Sequence, residues 1–269
     1  MFGYKKLIFI LVAATALADL GCQKTTTAPT LTGVAAFTVV NAIPNTNNGL
    51  VIPVINTGSA ITWFQSAYWL FYGSFYEYSP VAGNDTVYVV QLSDTLDVDP
   101  KSAGEMFYSI LNLKKGGIYS LFLCGADTTS PDYLFTSDSL PFHSPTDSTV
   151  GVRFVNLSTS SSPISINLEG SPNGSEVTSL SYKSITGFRD YISNSSITNS
   201  GYLFVFRDVA TGDSLASFDL AGFNNNNGVG LSDQNNGNPL VFKNVTIAFI
   251  GQPGINAVVP QSTMLIDDY

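Results

Sequence analysis

Short apolar or alternating segments recur along the chain between clusters of Gly, Pro, Asn and Ser. Alternation of apolar and polar side chains suits a strand with one buried face, and such clusters are where turns form. Beyond the N-terminal region, no apolar stretch approaches the ~20 residues that a membrane-spanning helix needs. The pattern therefore predicts an all-β protein of the β-sandwich type.

The strand pattern occurs twice. FTVVN at residues 37–41 matches VRFVN at residues 152–156, with an offset of 115. YSLFLCG at residues 119–125 matches VTIAFIG at residues 245–251, with an offset of 126. Two further segments, VYVVQL and YLFVFR, occupy equivalent central positions in the two copies. Self-similarity of this kind indicates an internal duplication.

Each copy has about 110 residues, which is the usual size of an immunoglobulin-like sandwich. We therefore predict two tandem immunoglobulin-like antiparallel β-sandwich domains, at residues 34–127 and 150–269. Three prolines and several turn-forming residues favour a connector at residues 128–149.

The composition supports strands and excludes one class of partner. Charged residues make up only 12% of the chain and aromatic residues another 12%, which favours strands over helices. There are 20 acidic and 11 basic side chains, with a formal net charge of −9. This balance leaves no basic surface for a phosphate backbone, so nucleic acid is not an expected partner.

The N-terminus has the order of a secretory signal. Lys5 and Lys6 precede an apolar run at residues 7–17, which is too short to span a bilayer. The small residue Gly21 then stands directly before Cys22, and this arrangement resembles the lipobox of bacterial lipoproteins. The resemblance implies cleavage after Gly21 and a lipid on Cys22; an ordinary secretory signal is the alternative.

Three expectations follow from a lipoprotein signal peptide at residues 1–21. Residues 22–33 have no apolar period and are predicted to form a flexible tether. Loss of the signal peptide changes the net charge from −9 to −10. The expected location is the cell envelope, with the lipid in the outer membrane on its periplasmic or surface face.

Several motifs resemble the DUF4397 family. They are the opening strand VRFVN with its Ser- and Pro-rich turn, the segment LKKGG at residues 113–117 before an apolar strand, and the aromatic segment at residues 71–78. The resemblance implies a secreted or lipid-anchored β-sandwich without an assigned activity. It transfers no catalytic residue to this chain.

The side chains that usually carry chemistry are scarce. His143 is the only histidine and lies between prolines in the predicted connector, and no Gly-x-Ser-x-Gly motif is present. If Cys22 is lipidated, Cys124 stays unpaired, and its apolar surroundings favour a buried thiol. One histidine and one free cysteine are too few for a zinc site of the Cys/His type. We therefore predict no catalytic site, metal site or cofactor.

Nine aromatic residues crowd into residues 63–78. Stacked aromatic rings can hold the apolar faces of sugars, so this segment is a candidate glycan-binding platform. The alternative is that these rings pack in the core or between domains. The candidate platform residues are Trp63, Tyr68, Trp69 and Tyr72.

A triplet of Asp, then Ser or Thr, then a small or branched apolar residue or Thr recurs more often than composition predicts. It resembles the O-glycosylation acceptor of secreted Bacteroidetes proteins, and the alternative is ordinary turn chemistry. The candidate acceptors are Thr86, Thr95, Thr128, Ser139, Ser148 and Ser214.

The sequence thus predicts a non-enzymatic, lipid-anchored envelope protein that acts as a binding or scaffolding module for an unassigned ligand. The alternative is a glycan-binding surface lipoprotein of a polysaccharide-uptake system. The expected partners are the membrane, through the N-terminal lipid, and either a polysaccharide or another envelope protein.

Overall fold

The computed structural model describes residues 33–44, 50–56, 70–92, 104–193, 202–220, 240–254 and 257–268. Within these ranges every regular element is a β-strand, which confirms the all-β prediction. None of the described segments is a helix with the length and hydropathy needed to cross a bilayer. Residues 33–269 belong to one compact unit.

The strands are β1 (Ala36–Asn41), β2 (Leu50–Asn56), β3 (Ser74–Tyr78), β4 (Gly83–Leu92), β5 (Gly104–Leu113), β6 (Ile118–Gly125), β7 (Pro131–Asp138), β8 (Thr149–Asn156), β9 (Ile164–Leu168), β10 (Val177–Leu180), β11 (Ser184–Ile185), β12 (Arg189–Ile192), β13 (Leu203–Asp208), β14 (Ser214–Asp219), β15 (Asn244–Ile250) and β16 (Ser262–Asp268).

The described strands form four sheets. Sheet A has the order β3-β1-β6-β7, and sheet B has the order β2-β4-β5. Sheet C has the order β11-β8-β15-β16, with β12 also paired to β8, and sheet D has the order β10-β9-β13-β14. Sheets A and B make up the first half of the unit, and sheets C and D make up the second half.

The prediction of wholly antiparallel sheets is wrong at one pair in each half. Strands β1 and β6 are parallel, and so are β8 and β15. Between β1 and β6 the chain runs through β2 of sheet B, β3 of sheet A, and then β4 and β5 of sheet B. A parallel pair needs a long connection of this kind, whereas an antiparallel pair can be joined by a tight turn.

Each half has its own apolar core between two facing sheets. Phe37 and Val39 of β1 share the first core with Val87 of β4 and Phe107 of β5. In the second half, Phe154 of β8 lies in a core with residues of β9, β13 and β15. The paired sheets therefore enclose their apolar faces as a sandwich does.

A third apolar cluster joins sheet A to sheet C. Val40 and Phe122 come from sheet A, and Val155, Ala248 and Met264 come from sheet C. Sheets A and C are therefore covered on both faces, and this explains the nearly continuous burial along β1, β6, β8 and β15. The order of the layers is B, A, C, D. We call the contact between sheets A and C the junction.

The repeat in the sequence corresponds to a repeat in strand register. Phe37 pairs with Tyr119 in sheet A, and the matching residues Val152 and Val245 pair in sheet C. The predicted central segments lie in β4 and β13, which have neighbours on both sides in sheets B and D.

One asparagine contact is identical in the two halves. The side-chain amide of Asn41 donates to the carbonyl of Leu70 at 3.0 Å, and that of Asn156 donates to the carbonyl of Leu180 at 3.1 Å. Each side-chain oxygen also accepts a hydrogen bond from the backbone amide two residues later. Both asparagines are fully buried, and these bonds link the end of the first strand in each half to the residue two positions later and to a segment farther along the chain.

The predicted connector at residues 128–149 contains a strand of sheet A. Strand β7 pairs with β6 along its whole length, and the ring of Phe135 stacks on Tyr119 at a centroid distance of 5.8 Å. Pro131 is compatible with this strand because it is the first residue of an edge strand, where no ladder hydrogen bond is lost. The first half therefore continues to Asp138, and residues 139–148 run between the halves.

Replacement of Asn41 or Asn156 by Ala should lower the free energy of unfolding by about 2–3 kcal/mol, because each change leaves buried backbone groups without partners. Urea denaturation followed by circular dichroism measures this effect. Asn112→Ala is the matched control, since Asn112 makes an exposed cross-strand bond to Asn84 and should cost less than about 0.5 kcal/mol. Equal losses at all three positions would contradict the proposed role of burial.

Candidate functional site

Of the four predicted platform residues, only Tyr72 lies within the described part of the chain. Tyr72 is half-buried and packs against the junction cluster, and burial raises its pKa to about 12. This position matches the packing alternative for the aromatic segment. Trp63, Tyr68 and Trp69 lie outside the described residues, as does Cys22.

The predicted glycosylation residues differ in their exposure. Ser139 and Ser214 are exposed, and Thr95 lies outside the described residues. The half-buried candidates are Thr86, Thr128 and Ser148.

Two aspartates of the same pattern stabilise turns. Asp127 Oδ1 accepts hydrogen bonds from the backbone amides of Thr129 and Ser130, at 2.8 and 3.0 Å. Asp147 Oδ2 accepts one from the amide of Ser144 at 2.8 Å. At these two positions the pattern has the role that turn chemistry assigns to it.

His143 links the segment between the halves to the second half through hydrogen bonds. Its Nδ1 lies 2.9 Å from Oγ1 of Thr149, and its Nε2 lies 3.0 Å from Oδ1 of Asn244. The side-chain amide of Asn244 also donates to the carbonyl of Pro141 at 3.0 Å. Both ring nitrogens are therefore engaged, which gives this imidazole a structural role.

Cys124 lies in the junction and is fully buried. The hydroxyl of Tyr182 donates to its Sγ at 3.2 Å, and burial raises the pKa of the thiol to about 12. A thiol with so high a pKa is a poor nucleophile at neutral pH. Beside this pair, Lys183 forms an ion pair with Asp132 of β7 at 2.6 Å.

A buried ionic cluster crosses the junction at the other end of the strands. Arg153 Nη1 lies 2.7 Å from Oδ1 of Asp138, at the end of β7, and Nη2 lies 3.0 Å from Oδ1 of Asp268, at the end of β16. The three side chains are only 5%, 2% and 3% exposed. Because Asp138 belongs to the first half, this cluster links the two halves directly.

Hydroxyl groups and an aromatic ring complete the surroundings of Arg153. Its Nε donates to Oγ1 of Thr246 at 2.6 Å, and its guanidinium lies 4.7 Å from the ring centroid of Phe188. The hydroxyl of Ser120 donates to Asp138 at 2.6 Å, and that of Thr246 donates to Asp268. The charged groups are thus hydrogen-bonded, as burial requires.

The two carboxylates occupy equivalent places in the repeat. Asp138 pairs with the first residue of β6, and Asp268 pairs with the first residue of β15. The position in the first half that corresponds to Arg153 is Thr38, which is also buried. Two equivalent carboxylates therefore share one guanidinium, and the cluster carries a formal excess of one negative charge.

Two carboxyl groups have raised pKa values. Burial raises the pKa of Asp268 to about 6, although the positive charge of Arg153 and the hydrogen bond from Thr246 act in the opposite direction. Burial also raises the pKa of Glu77 on β3, and the nearby carboxylate of Asp267 adds to this effect. In the sequence, VRFVN is recognisable as a strand motif, and the arginine inside this apolar run is the signal of a buried ion pair.

A small cavity lies among the described residues. It has a volume of about 150 Å³ and is lined in part by Ser165, Asn173, Thr178 and Asp208. Pockets for small-molecule ligands usually have ~300–1,000 Å³, so this cavity is well below that range. No group of three or more His, Cys, Asp or Glu side chains among the described residues is arranged to hold a metal ion.

No protein-family model matches the chain, and no curated protein matches it. The resemblance of its motifs to DUF4397 therefore stays a prediction.

Arg153→Ala should lower the free energy of unfolding by about 3–5 kcal/mol, because two carboxylates would remain buried without their cation. Chemical denaturation at pH 7 measures this loss. Lys183→Ala removes an ion pair that also joins the two halves but is about one third exposed, so it should cost less than about 1 kcal/mol. A small effect of Arg153→Ala would show that the carboxylates find other partners.

The raised pKa of Asp268 predicts a stability that depends on pH. A carboxyl group whose folded pKa exceeds its unfolded value stabilises the fold at low pH, and this contribution is lost as pH rises through the folded value of about 6. Between pH 4 and pH 7 the wild type should therefore lose stability relative to Asp268→Asn, on the order of 1–3 kcal/mol. Denaturant titrations of both proteins across this range measure the difference. A relative gain for the wild type would mean that ionised Asp268 stabilises the junction.

Proposed function

We propose that the chain is a non-enzymatic, lipid-anchored cell-envelope protein that acts as a binding or scaffolding module. The observation that carries this proposal is the junction. An apolar cluster and a buried ionic cluster hold both halves in one compact unit, so that its surface groups keep fixed relative positions. A scaffold needs such a body, because a rigid surface loses little conformational entropy when a partner binds.

We further propose that the two halves are tandem immunoglobulin-like sandwiches. Each half has two sheets around one core, and both halves place the same elements of the repeat in the same order. The parallel pair in each half departs from the antiparallel pairing expected of that fold. The departure is the same in both halves, which supports a common origin.

The roles of the reactive side chains support a protein without catalytic activity. His143 holds a loop in place, and Cys124 is a buried thiol with a raised pKa. Arg153 forms buried ion pairs with Asp138 and Asp268 inside the junction. Catalytic groups need access to a substrate, and these groups are buried or bonded to their neighbours.

Exposed apolar side chains support a role in binding. Tyr108 and Ile110 of β5 are more than half exposed, while Phe107 and Leu111 of the same strand face the core. Phe142, between the halves, is also exposed. Clusters of exposed apolar side chains often mark contact surfaces with other molecules.

Replacement of Cys22 by Ser should abolish acylation and move the protein from the membrane fraction to the soluble fraction of the cell, because the predicted lipid is its means of attachment. Mass spectrometry of the purified protein and fractionation of cells measure the two effects. Cys124→Ser is the matched control and should leave both the lipid and the location unchanged. A Cys22→Ser protein that has lost residues 1–21 and still keeps its membrane location would contradict the lipid anchor.

Binding is tested by chemical cross-linking in intact cells, followed by purification of the wild type and of an Ile110→Ser variant. A partner that is enriched with the wild type and lost with the variant supports a binding module. Turnover of an ester or a glycoside by the homogeneous protein would contradict the absence of catalysis.

A further inference from the structure

Phe142 is 88% exposed, the highest exposure of any large apolar side chain among the described residues. Both neighbours in the chain are fixed to the second half. The carbonyl of Pro141 accepts a hydrogen bond from Asn244, and the ring of His143 bonds to Thr149 and Asn244. The backbone therefore holds this phenylalanine in a defined outward position.

Two other exposed apolar residues emerge beside the same strand. The backbone amide of Phe242 donates to the carbonyl of Thr149 at 2.8 Å, and Ile192 pairs with Thr149 across the sheet. Phe242 is 43% exposed and Ile192 is 53% exposed. Since His143 also bonds to Thr149, all three apolar residues belong to segments that contact Thr149. We call Phe142, Ile192 and Phe242 the Phe142 cluster.

This cluster lies at the end of the unit where the described chain begins. Strands β1, β6, β8 and β15 all start at this end, and we call it the entry end. The ion pair between Arg153 and Asp138 joins the two halves near this end, whereas Lys183 and Asp132 join them near the other. Gly33 therefore lies at the same end as the Phe142 cluster.

Further apolar and basic groups belong to the entry end. Val34 and Val81 form an isolated β-bridge there, and both are exposed. Lys114 and Lys115 are exposed in the turn between β5 and β6. The exposed carboxylates of Asp147 and Asp190 also lie near the start of β8, so the end combines apolar groups with both signs of charge.

We propose that the entry end docks on the surface of a lipid bilayer, with Phe142 inserted at the boundary between headgroups and acyl chains. The inference rests on the proposed lipid anchor at Cys22. Eleven residues separate Cys22 from Val34, and a fully extended segment of that length reaches about 40 Å. A lipid on Cys22 would therefore hold the entry end close to the membrane at a high effective concentration.

Insertion of Phe142 at the bilayer surface is favoured over its exposure to water. An aromatic ring gains free energy when it leaves water for the interfacial region, and basic side chains can reach the headgroups. The defined position of Phe142 reduces the entropy lost on insertion. Docking would direct the opposite end, including the turn after β13, away from the membrane.

A tag that binds a nickel-chelating lipid can replace the acyl anchor, so docking can be measured without acylation in the cell. The Cys22→Ser chain is prepared without residues 1–21 and with a hexahistidine tag at its N-terminus. It binds to vesicles of phosphatidylethanolamine and phosphatidylglycerol that contain a nickel-chelating lipid. Phe142→Cys places an environment-sensitive dye on the Phe142 cluster. Thr211→Cys places the same dye in the exposed turn after β13, at the opposite end. The buried thiol of Cys124 should not react with the dye.

We expect the dye at position 142 to shift to the blue on vesicle binding and to be quenched by lipids with spin labels near the headgroups. The dye at position 211 should show neither change. In the unlabelled Cys22→Ser chain without a tag, Phe142→Ser should weaken vesicle binding about tenfold.

Equal water exposure of the two dyes on bound vesicles would overturn the docking proposal while leaving the lipid anchor intact. Shielding of position 142 only after addition of envelope proteins would also overturn it, in favour of a protein partner. Loss of the anchor itself is recognised separately, by a native protein that lacks acyl groups on Cys22.

Discussion

Arg153 lies buried between Asp138 of the first half and Asp268 of the second, and the orientation of the two halves depends on this contact. Removing charges from water costs several kcal/mol per ion, so the guanidinium is tolerated only where carboxylates and hydroxyl groups meet it. Asp138 reaches it only if β7 lies beside β8. The apolar cluster around Phe122 supplies buried area, whereas the ionic cluster restricts the alignment of the sheets.

The duplication explains why this cluster is unequal. Asp138 and Asp268 are equivalent in the repeat, but the position in the first half that corresponds to Arg153 is occupied by Thr38. A second arginine there would place two buried cations near each other, with a further cost of desolvation and repulsion. A single cation holds both carboxylates and leaves one negative charge in excess. The junction therefore contains one unbalanced carboxylate, and we expect its stability to depend on pH.

A rigid pair of halves gives the protein two distinct ends. The entry end carries the Phe142 cluster, while the opposite end carries the ion pair of Lys183 and Asp132. A partner in the envelope would meet the surfaces that are left free by this orientation. The proposed function needs no catalytic group, because position and exposed surface are sufficient for a scaffold.

Residue patterns alone indicated the all-β fold and the duplication, with FTVVN matched to VRFVN, because alternation and turn residues act over short distances. Tertiary structure decided three matters. It placed Pro131–Asp138 in sheet A as an edge strand, where proline is tolerated as the first residue. It made β1 and β6 parallel, and it brought Arg153 to Asp138 and to Asp268, 115 residues away. Such contacts depend on how whole sheets pack, and no local pattern encodes that packing.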